Sequence, residues 1–223
     1  MNLKNDLFMK ANLFSLLIVT MLFQPAVKGQ EAWNLRKDKN GIKVFSRNVA
    51  GFKFNELKVE SLFEGRVSQM VALVLDANSQ KEWAYKTIKS EILKVNSESD
   101  LIYYEEVEAP WPFSNRDFVL HLNVQQNPQN KVVNINVEIV NDFLPEKKDI
   151  VRVKYFSATW VITQLNNHQF KLDYRIQIDP GTNIPAWLAN LFSTNAPYES
   201  FMHLKERIKL PQYENAHPSF IVD

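Results

Sequence analysis

A run of β-segments between residues 87 and 178 constrains the fold of this chain more than any other feature. The alternation of apolar and polar side chains is strictest in 118–124, 133–139 and 170–178. Because successive strand residues face opposite sides of a sheet, each segment has one apolar face and one wet face. The connections between these segments are short, which indicates antiparallel neighbours. With a preceding hairpin over 42–63, the pattern predicts a curved antiparallel sheet of about eight strands.

A long amphipathic helix is predicted to cover the apolar face of this sheet. Between Pro185 and Lys209, apolar residues recur at steps of three and four. Pro197 lies inside the run, so the helix is expected to bend or break there. The predicted class is therefore α+β, with a C-terminal helix across the mouth of the curved sheet. A curled sheet of eight strands is wide enough to hold a small ligand.

Three shorter helical segments are also predicted. One lies near the start, over 31–37, with Trp33 as its anchor. A second is indicated by helical spacing between Gly65 and Asp76, and a third short helical segment by 78–85.

Residues 1–29 are interpreted as a cleavable signal peptide. Lys4 and Lys10 precede an apolar run over 13–23, which is too short to span a bilayer but suits a signal peptide. An uncleaved anchor or a buried helix is the alternative. We expect a periplasmic or secreted protein with one domain over 30–210 and an irregular tail over 211–223.

Composition excludes several function classes. Removal of the three lysines and one aspartate of the leader leaves 23 basic and 24 acidic side chains, so we expect no nucleic-acid partner. Cys is absent and the four His are scattered, so we expect no thiol nucleophile and no metal. No Gly-x-Ser-x-Gly motif or phosphate-binding glycine loop is present. The protein is therefore not expected to be an enzyme.

The ten residues from Pro110 to Val119, PWPFSNRDFV, form the most specific motif. They resemble the signature of the START (steroidogenic acute regulatory protein-related lipid transfer) family, particularly its phosphatidylcholine-transfer branch. The resemblance extends from about Trp33 to Lys209. It implies a helix-grip fold with a tunnel between the sheet and the final helix, which binds one lipid at a time without a cofactor. The expected partner is a lipid or another apolar small molecule, bound by a monomer that contacts membranes transiently.

The candidate ligand-binding residues come from the inner strand face and from the closing helix. Arg116 has two interpretations: its guanidinium meets a headgroup at the cavity mouth, or Arg116 and Asp117 stabilise the turn before the strand, with Asp117 accepting backbone N–H bonds. Met202 could adapt to variable lipid shapes. The loop 142–149 could contact a membrane through its apolar tip, or pack against the domain. The candidate set is Arg116, Phe118, Leu120, Leu122, Val124, Trp187, Leu188, Leu191, Phe192, Phe201 and Met202.

Two other function classes remain open at the level of sequence. An enzyme on the same scaffold, such as a cyclase or hydrolase, would need polar groups that converge inside the tunnel, for instance at Tyr103 or Glu105. A plain interaction module would fill its interior with its own side chains, leaving a cavity well below a few hundred Å³.

Overall fold

A ten-stranded sheet dominates the part of the chain that the computed structural model describes, namely residues 32–181, 184 and 186–223, without the side chains of 186–193. The strands follow the order β1-β2-β3-β10-β9-β7-β6-β5-β4, all with antiparallel pairing, and β8 pairs in parallel with the start of β6. The strands are β1 Asn34–Lys39, β2 Ile42–Arg47, β3 Glu56–Glu64, β4 Thr87–Ser97, β5 Asp100–Val107, β6 Arg116–Gln126, β7 Val133–Ile139, β8 Val151–Arg152, β9 Tyr155–Asn166 and β10 Gln169–Asp179.

The predicted fold class is confirmed, and two strands were not foreseen. The segment that begins at Val151 is divided into β8 and β9. The predicted helix over 31–37 is wrong, because Asn34–Lys39 is a strand paired with β2. Asn40 and Gly41 both have positive φ, of 54° and 67°, which suits a tight two-residue hairpin. This turn places Lys39 opposite Ile42 and fixes the register.

The helices pack on the inner side of the sheet or beside it. Helix α1 spans Val67–Leu75, a 3₁₀ helix spans Ala77–Glu82, helix α2 spans Ala186–Arg207, and helix α3 spans Pro211–Glu214. Helix α2 continues through Pro197 rather than breaking there. Its Phe201 ring packs on Phe63 at 6.1 Å, and Leu204 is fully buried, so the helix is anchored on the apolar face.

The segment after α2 was expected to be irregular, but it includes the helical turn α3 and is attached to the domain. Tyr213 and Ile221 are buried. The Asp223 carboxylate accepts hydrogen bonds from the backbone N–H and the hydroxyl of Ser68, at 2.9 and 2.6 Å. A carboxylate in this place satisfies free donors in the first turn of α1.

The outer face of the sheet is partly covered by the connection 142–149. Leu144 packs against an outer cluster of Ile102, Tyr104 and Val119. A buried ion pair lies beneath it: Arg152 on β8 donates two hydrogen bonds to the Asp117 carboxylate, at 2.8 and 3.0 Å. Asp117 was expected to accept backbone N–H bonds. Among the described contacts, its carboxylate instead binds the guanidinium of Arg152.

Candidate functional site

A cavity of about 490 Å³ lies between the inner face of the sheet and helix α2. This volume falls within the range of ligand sites and is larger than an interior filled by its own side chains would leave. Most of the wall is apolar or aromatic. Its apolar lining includes Leu57, Val74, Trp83, Val107, Phe118, Leu122, Val137, Phe156, Ala158, Trp160, Ile176, Ile178, Pro197 and Phe201.

The structure brings four of the predicted site residues to this cavity: Arg116, Phe118, Leu122 and Phe201. Two others, Leu120 and Val124, are buried on the same strand face but do not reach the lining. They are packed against neighbouring side chains, so their contribution is to the core.

The remaining predicted residues lie on helix α2. Met202 is outside the lining, and its sulfur lies 3.6 Å from the amide nitrogen of Asn40, toward the β1–β2 turn. The side chains of the other four are outside the described part of the structure: Trp187, Leu188, Leu191 and Phe192.

An aromatic group forms the middle of the cavity wall. The Trp160 ring lies 4.7 Å from Tyr174 and 6.1 Å from Phe201, measured between ring centroids. Trp83 meets Trp160 edge-on at 6.1 Å. Rings with few rotatable bonds make a firm apolar wall, and of these four residues only Phe201 was among the predicted ligand-binding residues.

A polar cluster interrupts this apolar wall on strands β4, β5 and β10. The Glu105 carboxylate accepts a hydrogen bond of 2.6 Å from the Thr87 hydroxyl. Burial raises the pKa of Glu105, and this hydrogen bond only partly opposes the shift. Burial also raises the pKa of Tyr103 and Tyr174, with a further contribution from the nearby Glu105 charge. The cavity therefore contains a carboxyl group that holds its proton more strongly than an exposed glutamate does.

Arg116 lies both at the turn before β6 and on the cavity wall, and its binding of a headgroup stays a prediction. Its guanidinium donates a hydrogen bond to the backbone carbonyl of Ser114, which holds the turn before β6. The residue also lines the cavity, and only 8 % of its surface is exposed. Its Nε has no hydrogen-bond partner, and it forms no ion pair with a described carboxylate. Burial without a counter-charge lowers the pKa of the guanidinium.

Two exposed loops border the cavity wall. The loop after β5 follows the lining residues Glu108 and Ala109 and presents Trp111, which is 92 % exposed. Between β2 and β3, Lys53 and Phe54 line the cavity beside the exposed Phe52. An exposed indole at this place is unusual for a water-soluble surface, since Trp is mostly buried.

No group of three or more metal-binding side chains occurs among the residues that the structure describes. Within the same residues, the helices are all too short or too polar to cross a bilayer.

The sequence model of the START domain family matches residues 19–212 of this chain. The chain belongs to the START domain family, the family of lipid-transfer domains that its fold and apolar cavity indicate. This membership supports lipid binding or transfer and an apolar small-molecule partner.

Several proteins are similar to this chain over most of its length. The phosphatidylcholine transfer protein of Rattus norvegicus is 27 % identical over 197 residues, covering 86 % of this chain and 88 % of the rat protein. An uncharacterized protein of Pseudomonas aeruginosa is 27 % identical over 175 residues, covering 78 % of this chain and 86 % of that protein. The structure of a STAR-related lipid transfer protein fragment from Xanthomonas axonopodis has a TM-score of 0.74 at 30 % identity, covering 81 % of this chain and 100 % of that one.

The raised pKa of Glu105 predicts a specific dependence of stability on pH. Below the usual Glu range, the folded and unfolded chains both hold this proton, so its stabilising effect is complete. As the pH rises, the unfolded chain loses the proton first, so stability falls until the folded-state pKa is passed. Glu105→Gln should remove this loss, because the amide oxygen still accepts the Thr87 hydrogen bond. Urea unfolding of both proteins between about pH 5 and about pH 8 measures the difference; parallel stability profiles would contradict it.

Proposed function

We propose that this protein is an exported carrier that encloses one apolar lipid in the cavity between the sheet and helix α2. The observation that supports this most is the lining itself. Strands from both halves of the sheet supply apolar side chains, and the α2 residues Pro197 and Phe201 complete the wall. Transfer of an acyl chain from water into such a wall is favourable by about 0.8 kcal/mol per buried CH₂.

The direct test is the identity of what copurifies with the protein. Native mass spectrometry of the chain purified from its own host should give one dominant lipid adduct per chain, and extraction should identify it. A chain that stays unloaded and binds no lipid, sterol or carotenoid in a panel would contradict the proposal.

Lipid exchange requires contact with a bilayer, and we propose that the Trp111 loop provides it. Trp111 is the most exposed large apolar residue of the described chain and follows the cavity-lining residue Ala109 by two positions. Trp side chains favour the membrane–water interface, where one end of the indole is apolar and the other can hydrogen-bond. The loop 142–149 is less suited to this role, because Leu144 packs on the domain and Phe143 is only 38 % exposed.

Trp111→Ala should slow lipid transfer between vesicles by about tenfold, the effect of removing roughly 1.5 kcal/mol of apolar burial at the membrane. The melting temperature should not change, because the side chain makes little contact with the domain. The matched control is Val95→Ala, at the far end of β4 from the lining residue Thr87 and 62 % exposed. A transfer rate that falls equally in both variants, or in neither, would exclude the Trp111 loop as the membrane contact.

The proposal of export depends on the leader over 1–29. Its apolar run over 13–23 and the residues Val27 and Gly29 before the expected cleavage site support it. The test is the N-terminal sequence of the mature protein together with cell fractionation. A protein that keeps residues 1–29 and remains in the cytoplasmic fraction would contradict export without affecting the lipid-carrier proposal.

The polar cluster gives a second candidate function some support. A buried Glu105 beside Tyr103 and Tyr174 could exchange a proton with a bound substrate, as a catalytic acid or base would. The two functions differ in the fate of the ligand. A carrier returns its lipid unchanged, and Glu105→Gln leaves the extracted lipid the same. An enzyme would instead accumulate its substrate in that variant.

A further inference from the structure

The cavity contains one buried cation that is left without a counter-charge. Arg116 is 8 % exposed and faces the cavity, with its Nε unpaired. By contrast, the other strongly buried arginine of this region, Arg152, binds the Asp117 carboxylate with two hydrogen bonds. Arg116 has the Ser114 hydrogen bond but no counter-charge, and its Nε has no partner, so it has an unused capacity to bind an anion.

The other charges on the wall do not fill this need. Glu108 is engaged by Lys86 at 3.1 Å. Glu105 lies on the same face as Arg116, on the neighbouring strand: β5–β6 pairing places Glu105 opposite Phe118 and Val107 opposite Arg116. Such diagonal neighbours are within reach of long side chains, yet Glu105 accepts its hydrogen bond from Thr87 instead. Lys53 adds a second cation to the lining.

A second unpaired donor supports the same conclusion. The indole N–H of Trp83 has no partner, although the residue is 6 % exposed and lines the cavity. The wall therefore offers unpaired donors at two positions, together with uncompensated positive charge at Arg116. A purely hydrocarbon ligand would leave both donors unsatisfied, at a cost of desolvation for each.

We propose that the cavity selects amphiphiles that carry one anionic group, a carboxylate or a phosphate, and that Arg116 binds this group. The inference rests on the proposed lipid-carrier function and specifies its ligand class. Guanidinium and carboxylate or phosphate form charge-assisted, often bidentate hydrogen bonds, which suits an arginine on a water-poor wall.

Matched pairs of ligands, which differ in charge but share the same apolar tail, test how much the anionic group contributes to binding. For the carboxylate, cis-parinaric acid is compared with its methyl ester; for the phosphate, pyrene-labelled phosphatidic acid is compared with the corresponding diacylglycerol. Wild type should bind the anionic member of at least one pair about tenfold to a hundredfold more tightly, the effect of one charge-assisted hydrogen-bonded contact. The pair that shows the preference identifies the carboxylate or the phosphate as the recognised group.

The variants then assign the preference to Arg116. In Arg116→Met, the affinity for the anionic ligand should fall to within about twofold of the affinity for its neutral counterpart. The affinity for the neutral ligand should stay the same, because the apolar wall is unchanged. Arg116→Lys keeps the charge and should keep part of the preference. Lys43→Met, which removes an exposed cation outside the cavity lining, should keep all of it. If the wild-type protein binds both members of both pairs equally, the inference is wrong, whether or not the variants fold. It is also wrong if the Arg116→Met protein retains the preference for the anionic ligand. Failure of all four ligands to bind would instead overturn the carrier function itself.

Discussion

Ala158→Trp should weaken lipid binding by at least about a hundredfold while the domain stays folded. Ala158 lies on the inner face of β9, opposite Val137 and Ile176, and all three residues line the cavity. An indole at this position enters the empty space of about 490 Å³ rather than a packed core. Displacing about four CH₂ groups of a lipid from the wall costs about 3 kcal/mol, which lowers the affinity by more than about a hundredfold.

The expected cost to folding is much smaller, because overpacking typically costs about 1–3 kcal/mol and this site has room. Titration of a fluorescent lipid measures binding, and thermal unfolding measures the fold. Ala158→Leu should give an intermediate loss of affinity. The control is Thr159→Trp, which places the same indole on the opposite face of β9. If Ala158→Trp binds lipid as tightly as Thr159→Trp, the ligand lies outside this cavity.

Asp117→Asn should be the most destabilising of the changes considered, by about 3–5 kcal/mol. The Asp117 carboxylate is fully buried and accepts both hydrogen bonds from Arg152. The amide cannot compensate the guanidinium charge, which is 8 % exposed and has no access to bulk water that would replace the lost partner. Arg152 also donates to the carbonyl oxygens of Leu144 and Pro145, so its displacement should loosen the loop over the outer face of the sheet.

A double variant separates two contributions to the loss of stability: the loss of the ion pair, and the buried charge of Arg152 that is left without a partner. Arg152→Met in the Asp117→Asn background should recover part of the loss, because no unpaired buried charge remains. The surface pair of Lys43 and Asp38, at 3.9 Å, provides the control: Asp38→Asn should change stability by less than about 0.5 kcal/mol. Urea unfolding measures all four proteins. A loss below about 1 kcal/mol in Asp117→Asn would show that the pair is solvated rather than buried.

The strands that could be predicted are those with one wet face. On β7, on β10 and on β6 from His121 onward, the outer residues reach solvent, so the period-two pattern identifies the inner face, including Leu122. On β5 the pattern vanishes. Leu101 and Tyr103 are buried on the cavity side of the sheet. Ile102 and Tyr104 are buried beneath the outer loop, so neither face of β5 is polar in the sequence. The orientation of Glu105 was therefore not determined by the sequence.

The prediction of a helix in place of the first strand was wrong for a different reason. β1 is an exposed edge strand rich in charge, without an apolar face to reveal its period. The available signal was Asn40-Gly41, since this dipeptide favours a tight hairpin and therefore implies a strand before it as well as after it. The pairing of Asp117 with Arg152 could not be predicted either, because it depends on a parallel contact between β8 and β6 across the loop 142–149.

The position of β10 beside β3 has a consequence for how the chain folds. Residues 64 and 169 are paired although they lie about a hundred positions apart in the sequence. As the ribosome releases the chain from its N-terminus, β3 has β2 on one side but an open edge on the other until the last strand emerges. Sheets closed by such distant partners fold slowly, on a timescale of roughly milliseconds to seconds. The open edge of β3 is thus the expected site of non-native pairing or chaperone binding during synthesis.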